Sequence, residues 1–230
     1  METSRGVRSG LGRNYNRNDM KLKKLLLASM LMTSSCTFAQ QTISLPKPDM
    51  YRITSSVMEA YGKRQSTRDF DTKMLTEQDL SDLLWAAQGQ NREDGRLTSP
   101  TTMNRQEVRM YVFCEKGVTL YDPHVNTLTW VAEGDHRDIV AGRQEGVKTA
   151  PVMLVLVGDF DKFGKNDKHA QWMVSVDVGI TCQNINLFCS AAGMVTVPRG
   201  TMNQEAIQKL LGLNENQIPL INNPVGYPKK

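Results

Sequence analysis

The sequence has few cysteines and histidines, and none of them are clustered. Of its 230 residues, four are cysteine and three are histidine. Cys36 lies in an N-terminal stretch that reads as a leader, which leaves Cys114, Cys182 and Cys189 for the rest of the chain. An odd number of cysteines makes no complete disulfide framework, and no spacing of cysteine and histidine matches a metal site. The sequence therefore argues against a disulfide-stapled or metal-dependent fold, and we expect three buried, unreactive thiols.

The chain also lacks a long apolar run and a strongly charged surface. Its clearest apolar run, residues 25–32, is much shorter than the roughly 20 residues that a membrane-spanning helix needs. The net charge of +4 is raised by the first 39 residues, which contain many Lys and Arg and few acids. The rest of the chain is close to neutral. No nucleic-acid-binding or membrane-binding surface is predicted from charge.

Residues 1–39 are expected to be an upstream extension followed by a secretory signal peptide. Translation is expected to start at Met20, because a positive segment with three lysines follows it directly, Lys21, Lys23 and Lys24. The short apolar run at residues 25–32 comes next, and Ala39 places a small residue at the cleavage point. The mature protein would then be exported to the periplasm of a bacterium.

A second processing site competes with the first. Ser34 and Ser35 precede Cys36, so this cysteine could be acylated at a lipoprotein junction. The mature protein would then be anchored to the membrane, and this is the only route to a membrane that the sequence offers. With either site, residues 40–230 are long enough to form a single domain with a good core.

Apolar periodicity and turn residues predict helices and strands in irregular alternation. Helices are predicted at residues 57–61, from Thr76 to near Gly89, at residues 175–192, and from the cap Asn203 to Gly212. Strands are predicted at residues 108–114, 118–122, 127–131 and 152–157, the second and third as a hairpin and the last as a buried central strand. Hairpins mixed with helices indicate an α+β fold and not a doubly wound parallel sheet.

Two arginines bracket a short polar run just ahead of the second helix. Arg64 and Arg68 enclose Gln65, Ser66 and Thr67. Guanidinium groups and small hydroxyls are suited to holding a phosphate monoester. Taken alone, the run could equally be a solvated charge cluster. Three later stretches fit the same ligand, at residues 100–106, 197–200 and 226–230, and together they predict a site for flavin mononucleotide (FMN).

These stretches, in this order, resemble the FMN-dependent nitroreductase family. The resemblance covers residues 57–230 and is carried by residues 64–68 and 80–88 and by Pro100 with Asn104 and Gln106. Further stretches resemble a branch of peptide-azoline (thiazole/oxazole) oxidase-type proteins, at residues 85–92, 95–96, 177–187, 193–194 and 224–228. The resemblance implies a three-layer α/β/α sandwich of the nitroreductase type with a mainly antiparallel central sheet. It also implies a homodimer with two FMN sites, each built from both chains.

The resemblance assigns the first group of site residues to the flavin phosphate and its surroundings. Arg64 and Arg68 match the family's phosphate and ribityl contacts, and Ser66 matches a hydroxyl that bonds the same groups. Gln65 stands where the family often has a basic residue near the pyrimidine edge. An amide can bond that edge but cannot supply a positive charge to stabilise the anionic reduced ring. Lys229 matches a basic residue that closes over the phosphate.

The second group is assigned to the flavin ring. Asn104 matches an amide near the ring and the ribityl hydroxyls, and Gln106 is expected to contact the flavin or cap the following strand. Pro198, Arg199 and Gly200 stand where the family places backbone donors against the flavin. Only the backbone role is carried over for Arg199, because its side chain departs from the family pattern.

The resulting functional expectation is an FMN oxidoreductase with a ping-pong cycle. NADH or NADPH would reduce the flavin, which would then reduce a nitroaromatic, a quinone or a similar acceptor. No side chain is required as a nucleophile, and the sequence shows neither a Ser-His-Asp arrangement nor paired carboxylates. Nicotinamide cofactors are scarce outside the cytoplasm, so two alternatives stay open: an exported flavin oxidase or dehydrogenase with another donor, and a non-catalytic flavin-binding protein.

Overall fold

The structure, a computed structural model, describes residues 41–229, which belong to one compact unit, Gln40–Lys230. The predicted start at Met20, the signal peptide and Cys36 lie outside the described residues and stay predictions. The strands of the described part are β1 Thr42–Ser44, β2 Val108–Cys114, β3 Gly117–Asp122, β4 Thr127–Glu133, β5 Val152–Asp159, β6 Val195–Thr196 and β7 Gln217–Gly226. The helices are α1 Val57–Lys63, α2 Glu77–Gln88, α3 Arg137–Ala141, α4 Phe160–Phe163, α5 Lys168–Ala191 and α6 Gln204–Leu211, with 3-10 turns at Thr102–Asn104 and Glu145–Val147.

The strands form a 7-stranded sheet in the order β1-β4-β3-β2-β5-β7-β6. All neighbouring strands are antiparallel. Strand β5 lies inside the sheet between β2 and β7, and it pairs with β7 along its full length and with β2 from Val152 to Gly158. The predicted α+β fold with an antiparallel central sheet is confirmed.

Side chains of β5 divide the interior into two cores, one on each face of the sheet. Val152, Leu154 and Leu156 pack on the face that α2 and α5 cover. Their neighbours Met153, Val155 and Val157 pack on the face of α3 and α6. All six side chains are fully buried. Because helices cover both faces, β5 reads as a continuous apolar run, and the three layers are those of an α/β/α sandwich.

Helix α2 follows its sequence signals closely. The Thr76 side chain caps the helix by accepting a hydrogen bond from the Asp79 backbone N–H at 3.1 Å, and the helix ends before Gly89. The apolar stripe of the helix, spaced i, i+3, i+4 and i+7, is buried against the core, Leu80, Leu83, Leu84 and Ala87. The sequence predicts this helix because its N-cap, its apolar stripe and the glycine at its end all depend on residues that are close together in sequence.

Helix α5 begins earlier than the sequence predicts, at Lys168 and not at residue 175. The Asp167 side chain caps it by accepting from the Ala170 N–H at 2.8 Å. The first turns have an incomplete apolar stripe, and Trp172 is 62% exposed. His169 and Trp172, which precede the predicted helix, therefore lie on α5, and the weak apolar stripe explains why periodicity does not predict this part of the helix.

Strand β7 is absent from the sequence predictions because its composition is typical of a loop. It contains two prolines and two adjacent asparagines, Pro219, Asn222, Asn223 and Pro224. Asn222 and Asn223 are fully buried, and each is satisfied by hydrogen bonds across the sheet or to α5. The pairing register shifts where Pro219 meets β5, as expected for a residue with no backbone N–H.

The predicted buried thiols are confirmed for two of the three cysteines. Cys182 and Cys189 are free and lie in the core under α5, and Cys114 is free and half-buried. Burial raises the pKa of Cys182 to about 11 and also raises that of Cys189. Within residues 41–229, no helix has both the length and the apolar character to cross a membrane. The same residues hold no cluster of three or more His, Cys, Asp and Glu side chains suited to a metal ion.

Candidate functional site

The segment from Arg64 to Arg68 lies along the edge of the sheet at β6. It follows α1, and the Thr67 N–H donates to the Thr196 carbonyl at 3.0 Å. Ser66 also bridges to Thr196. The four predicted site residues of this segment are all exposed, Arg64, Gln65, Ser66 and Arg68. Backbone pairing therefore fixes the segment to the sheet while its polar side chains stay accessible.

Both guanidinium groups of this segment are free to bind an anion. Among the described residues, neither Arg64 nor Arg68 has a carboxylate within ion-pair distance. The chain terminus adds a third cation, because Phe70 pairs with Pro228 and the Lys229 ammonium lies 3.7 Å from the Asp69 carboxylate. We call Arg64, Gln65, Ser66, Arg68 and Lys229 the arginine half-site.

Residues 198–200 lie next to the arginine half-site. The guanidinium of Arg68 is close enough to act on Arg199, and burial together with this like charge lowers the pKa of Arg199. Pro198 and Gly200 are exposed, and a Cβ added at Gly200 would meet open space. The Gly200 N–H has no acceptor among the described residues. This backbone can be approached closely by a planar ligand.

Arg199 has a structural role that its position in the motif did not reveal. Its side chain is 5% exposed and donates to the Gln144 and Asn222 side-chain oxygens, each at 2.9 Å, and to the Ala141 carbonyl at 2.8 Å. Its backbone N–H donates to the Asn222 carbonyl at 2.8 Å. The expected backbone donor at 199 is therefore already engaged, and of the three motif positions Gly200 is the one with a free N–H.

Replacing Arg199 with methionine is expected to destabilise the domain by about 3 kcal/mol, because several buried oxygens would lose their donor. Urea unfolding of the variant measures this loss. Arg143→Met is the matched control, since Arg143 is exposed and has no ion-pair partner among the described residues. A cost for Arg199→Met no larger than that of the control would contradict the structural role.

The loop at residues 101–106 holds the remaining predicted residues in a strained backbone. Met103, Asn104 and Gln106 have φ values of 54°, 53° and 52°, in the left-handed region that residues other than glycine rarely adopt. The Gln106 N–H donates to the Thr101 hydroxyl at 2.9 Å, and the Thr102 N–H donates to the Asp177 carboxylate at 2.7 Å. We call Asn104 and Gln106 the loop half-site.

One residue of the loop half-site, Asn104, borders a cavity of about 510 Å³. Asn104 is exposed and lines this cavity, and so does Ser99. The Ser99 hydroxyl is buried and has no hydrogen-bond partner among the described residues. Because an unpaired buried hydroxyl is unfavourable, the Ser99 hydroxyl is available to bond a polar group of a ligand.

The two half-sites lie at opposite ends of the sheet. The arginine half-site is joined to Thr196, which pairs with Val225 and through it aligns with Val152 at the start of β5. The loop half-site precedes Val108, which pairs with Gly158 near the end of β5. These ends are roughly 20 Å apart at the rise of an extended strand. One protomer therefore does not bring the two half-sites together, and no hydrogen bond or ion pair among residues 41–229 joins them.

A pair of carboxyl groups lies beneath the loop, although no sequence pattern predicts one. Glu107 is fully buried, and its neighbour is the Asp177 carboxyl of α5, which is 4% exposed. Burial, together with the Asp177 carboxyl, raises the pKa of Glu107 to about 7. The two residues are 70 positions apart, so only the packing of α5 against the start of β2 reveals them.

Comparison with known proteins agrees with this architecture. A family model described as the Nitroreductase family matches residues 61–227. A curated protein of Methanocaldococcus jannaschii, named as a candidate nitroreductase, is 26% identical over 196 residues, which cover 80% of this chain and 96% of that protein.

Solved structures give the same result. The crystal structure of a candidate nitroreductase from Ralstonia eutropha JMP134 has a TM-score of 0.78 and 30% identity, covering 83% of this chain and 91% of that one. Nitroreductase A of Vibrio parahaemolyticus shares the fold, with a TM-score of 0.60 and 20% identity over 76% of this chain and 68% of that one. With its seven-stranded antiparallel sheet between helical layers and a family match over most of its length, this chain belongs to the Nitroreductase family of oxidoreductases.

Proposed function

We propose that the protein is an FMN-dependent oxidoreductase with a ping-pong cycle. NADH or NADPH would supply a hydride, and a nitroaromatic, a quinone or a similar small molecule would accept the electrons. The observation that carries the proposal is the pair of exposed guanidinium groups, Arg64 and Arg68, with no carboxylate partner among the described residues. The charge of Arg68 acts on Arg199, and the Gly200 that follows has no N–H acceptor among the described residues, so an anion site adjoins a backbone that a planar ring can approach.

The arginine half-site fits a phosphate monoester. Arg64 and Arg68 would each offer paired N–H donors at fixed geometry, which suits a phosphate dianion. The Ser66 hydroxyl would bond the phosphate or the ribityl chain. Among the described residues, the Lys229 side chain has one ion-pair partner, Asp69 at 3.7 Å, so it is available to close over the phosphate.

The backbone around Gly200 fits the reacting edge of the flavin. When bound, the flavin would accept a hydride and pass on electrons, which is chemistry that no side chain supplies. The Gly200 N–H would bond the ring and orient it for transfer, and Pro198 would add an exposed, rigid surface beside it. Gln65 would bond the pyrimidine edge without a charge. We therefore expect weaker stabilisation of the anionic reduced ring than a basic residue would give.

The separation of the half-sites supports a homodimer with shared sites. The loop half-site is roughly 20 Å from the arginine half-site along β5, which is too far for one protomer to surround one flavin ring. In the proposed dimer, each FMN takes its phosphate contacts from one chain. Asn104 and Gln106, with the cavity beside Ser99, come from the partner.

An absorbance spectrum of the purified protein, before and after anaerobic NADH, tests the proposal. Flavin bands that bleach are expected, and they would establish a bound flavin that a nicotinamide donor reduces. Bands that persist with NADH and NADPH but bleach with a quinol would overturn the donor and keep the flavin site. A protein that stays colourless after incubation with FMN would overturn the site.

A second candidate function is an exported flavin oxidase or dehydrogenase with a different donor. Two features favour it: the signal-peptide pattern ahead of residue 40, and an uncharged Gln65 at the pyrimidine edge. The resemblance of residues 85–96 to peptide-azoline oxidases points in the same direction. Export is itself a proposal, which fractionation of producing cells and mass measurement of the mature N-terminus would test, with lipid on Cys36 as the competing result.

A further inference from the structure

Glu107 is an unusual residue for a protein interior. Its side chain is fully buried, and neither carboxylate oxygen accepts a hydrogen bond from any donor in the described chain. Its backbone is fixed, because the Glu107 carbonyl accepts from the Asp159 N–H at 2.8 Å. The side chain therefore cannot turn out to solvent without breaking the start of the sheet. An ionised carboxylate in this position would be strongly destabilising.

The groups around Glu107 do not neutralise it by pairing. The charged groups that act on it within the described residues are Asp177 on α5 and Arg105 on the loop. Arg105 is turned to Phe163, where it bonds the carbonyl and lies 4.8 Å above the ring. Asp177 accepts from the Thr102 N–H at 2.7 Å. Two buried carboxylates side by side repel, whereas one proton between them makes a strong O–H···O⁻ bond.

We propose that Glu107 and Asp177 share one proton, and that this acid–carboxylate pair positions the strained loop that carries Asn104 and Gln106. The pair acts through two connections: Asp177 holds the Thr102 N–H at one end of the loop, and Glu107 follows Gln106 at the other. It would counter the tendency of three left-handed residues to relax. Neither residue is placed in contact with the flavin; that the loop serves a flavin rests on the proposed function.

The arrangement predicts that the loop loosens as the pH rises. Burial and the Asp177 carboxyl raise the pKa of Glu107 to about 7. Below that pH the Glu107 carboxyl keeps its proton in the folded protein. In the unfolded chain it loses this proton near the ordinary, lower pKa of a glutamate. The contribution of Glu107 to folding stability is therefore complete below the pKa that this residue has in the unfolded chain, and it is lost as the pH rises through about 7. Above it, a second negative charge enters the pair and the hold on the loop weakens.

Hydrogen–deuterium exchange of the loop, residues 100–106, tests the pair without any flavin. Glu107→Gln keeps the shape and a donor toward Asp177 but cannot titrate, and Asp177→Asn supplies the donor from the other side. At pH 6 the wild type and Glu107→Gln should exchange alike. At pH 8.5 the wild-type loop should exchange at least about threefold faster than that of Glu107→Gln. Comparing proteins at the same pH cancels the intrinsic dependence of exchange on pH.

FMN affinity, from quenching of flavin fluorescence, is the second readout. Relative to Glu107→Gln, we expect wild-type affinity to fall about tenfold from pH 6 to pH 8.5, with Glu215→Gln as an exposed control that falls like the wild type. Equal loop exchange of wild type and Glu107→Gln at pH 8.5, or an affinity that changes equally with pH in these two proteins, overturns the proposal. If no protein binds FMN but the exchange difference is present, the proton-sharing pair stands and the proposed function fails.

Discussion

Replacing Arg64 and Arg68 together with alanine should remove bound FMN from the purified protein. Each guanidinium is exposed and has no ion-pair partner in the described chain, so its donors are free for the phosphate. A charge-assisted hydrogen bond contributes about 1.5–3 kcal/mol, and losing two such contacts predicts a fall in affinity of about a thousandfold. The measurement is FMN titration of the apoprotein, followed by flavin fluorescence.

The same variant separates a binding role from a structural one. Because neither guanidinium supports the fold, urea unfolding of the double variant should match wild type within about 0.5 kcal/mol. Lys209→Ala, which removes an exposed cation from α6, is the control for a general loss of positive charge and should bind FMN normally. A double variant that stays yellow and keeps its affinity for FMN would show that residues 64–68 are only a solvated charge cluster, the alternative that the sequence alone allows.

The elements that the sequence predicted are those whose signals are local. β2 has the bounds that its apolar pattern predicts, and α2 has the predicted cap, stripe and terminating glycine. β7 went unpredicted because its prolines and buried asparagines are stabilised by partners on β5, β6 and α5. Such compensation is tertiary, and no local pattern contains it.

The candidate site shows the same division. The types and order of residues 64–68 predict an anion site, and the structure leaves both arginines exposed and unpaired in the described chain. In the sequence, the side chain of Arg199 is only a departure from the family pattern. Its structural role depends on buried hydrogen bonds to Gln144 and Asn222, which are distant in sequence. Glu107 and Asp177 are likewise far from each other in sequence. Residues whose function is to hold another segment are found only when both segments are in place.

Mixing two variants that each fail to bind FMN should restore FMN binding if the sites are shared between chains. In the proposed dimer, one site joins the arginine half-site of one chain to the loop half-site of the other. A homodimer of Arg64→Ala/Arg68→Ala is defective in both sites, and so is a homodimer of Asn104→Ala/Gln106→Ala. A mixed dimer has one site with both defects and one site with none. Random exchange of equal amounts of the two proteins should therefore restore about a quarter of the wild-type FMN sites.

The control is a mixture of two variants that are defective in the same half. Chains with Arg64→Ala/Arg68→Ala, mixed with chains altered only at Lys229 and Ser66, offer no dimer with an intact arginine half-site and should restore nothing beyond their separate binding. Subunit exchange is driven by mild denaturant, and FMN is counted by absorbance after gel filtration. Recovery only in the first mixture requires the two half-sites to meet across an interface. Failure to recover, in a mixture shown by mass spectrometry to contain mixed dimers, would mean that each protomer binds FMN with its own residues, and that the roughly 20 Å between its half-sites closes by a rearrangement of the loop.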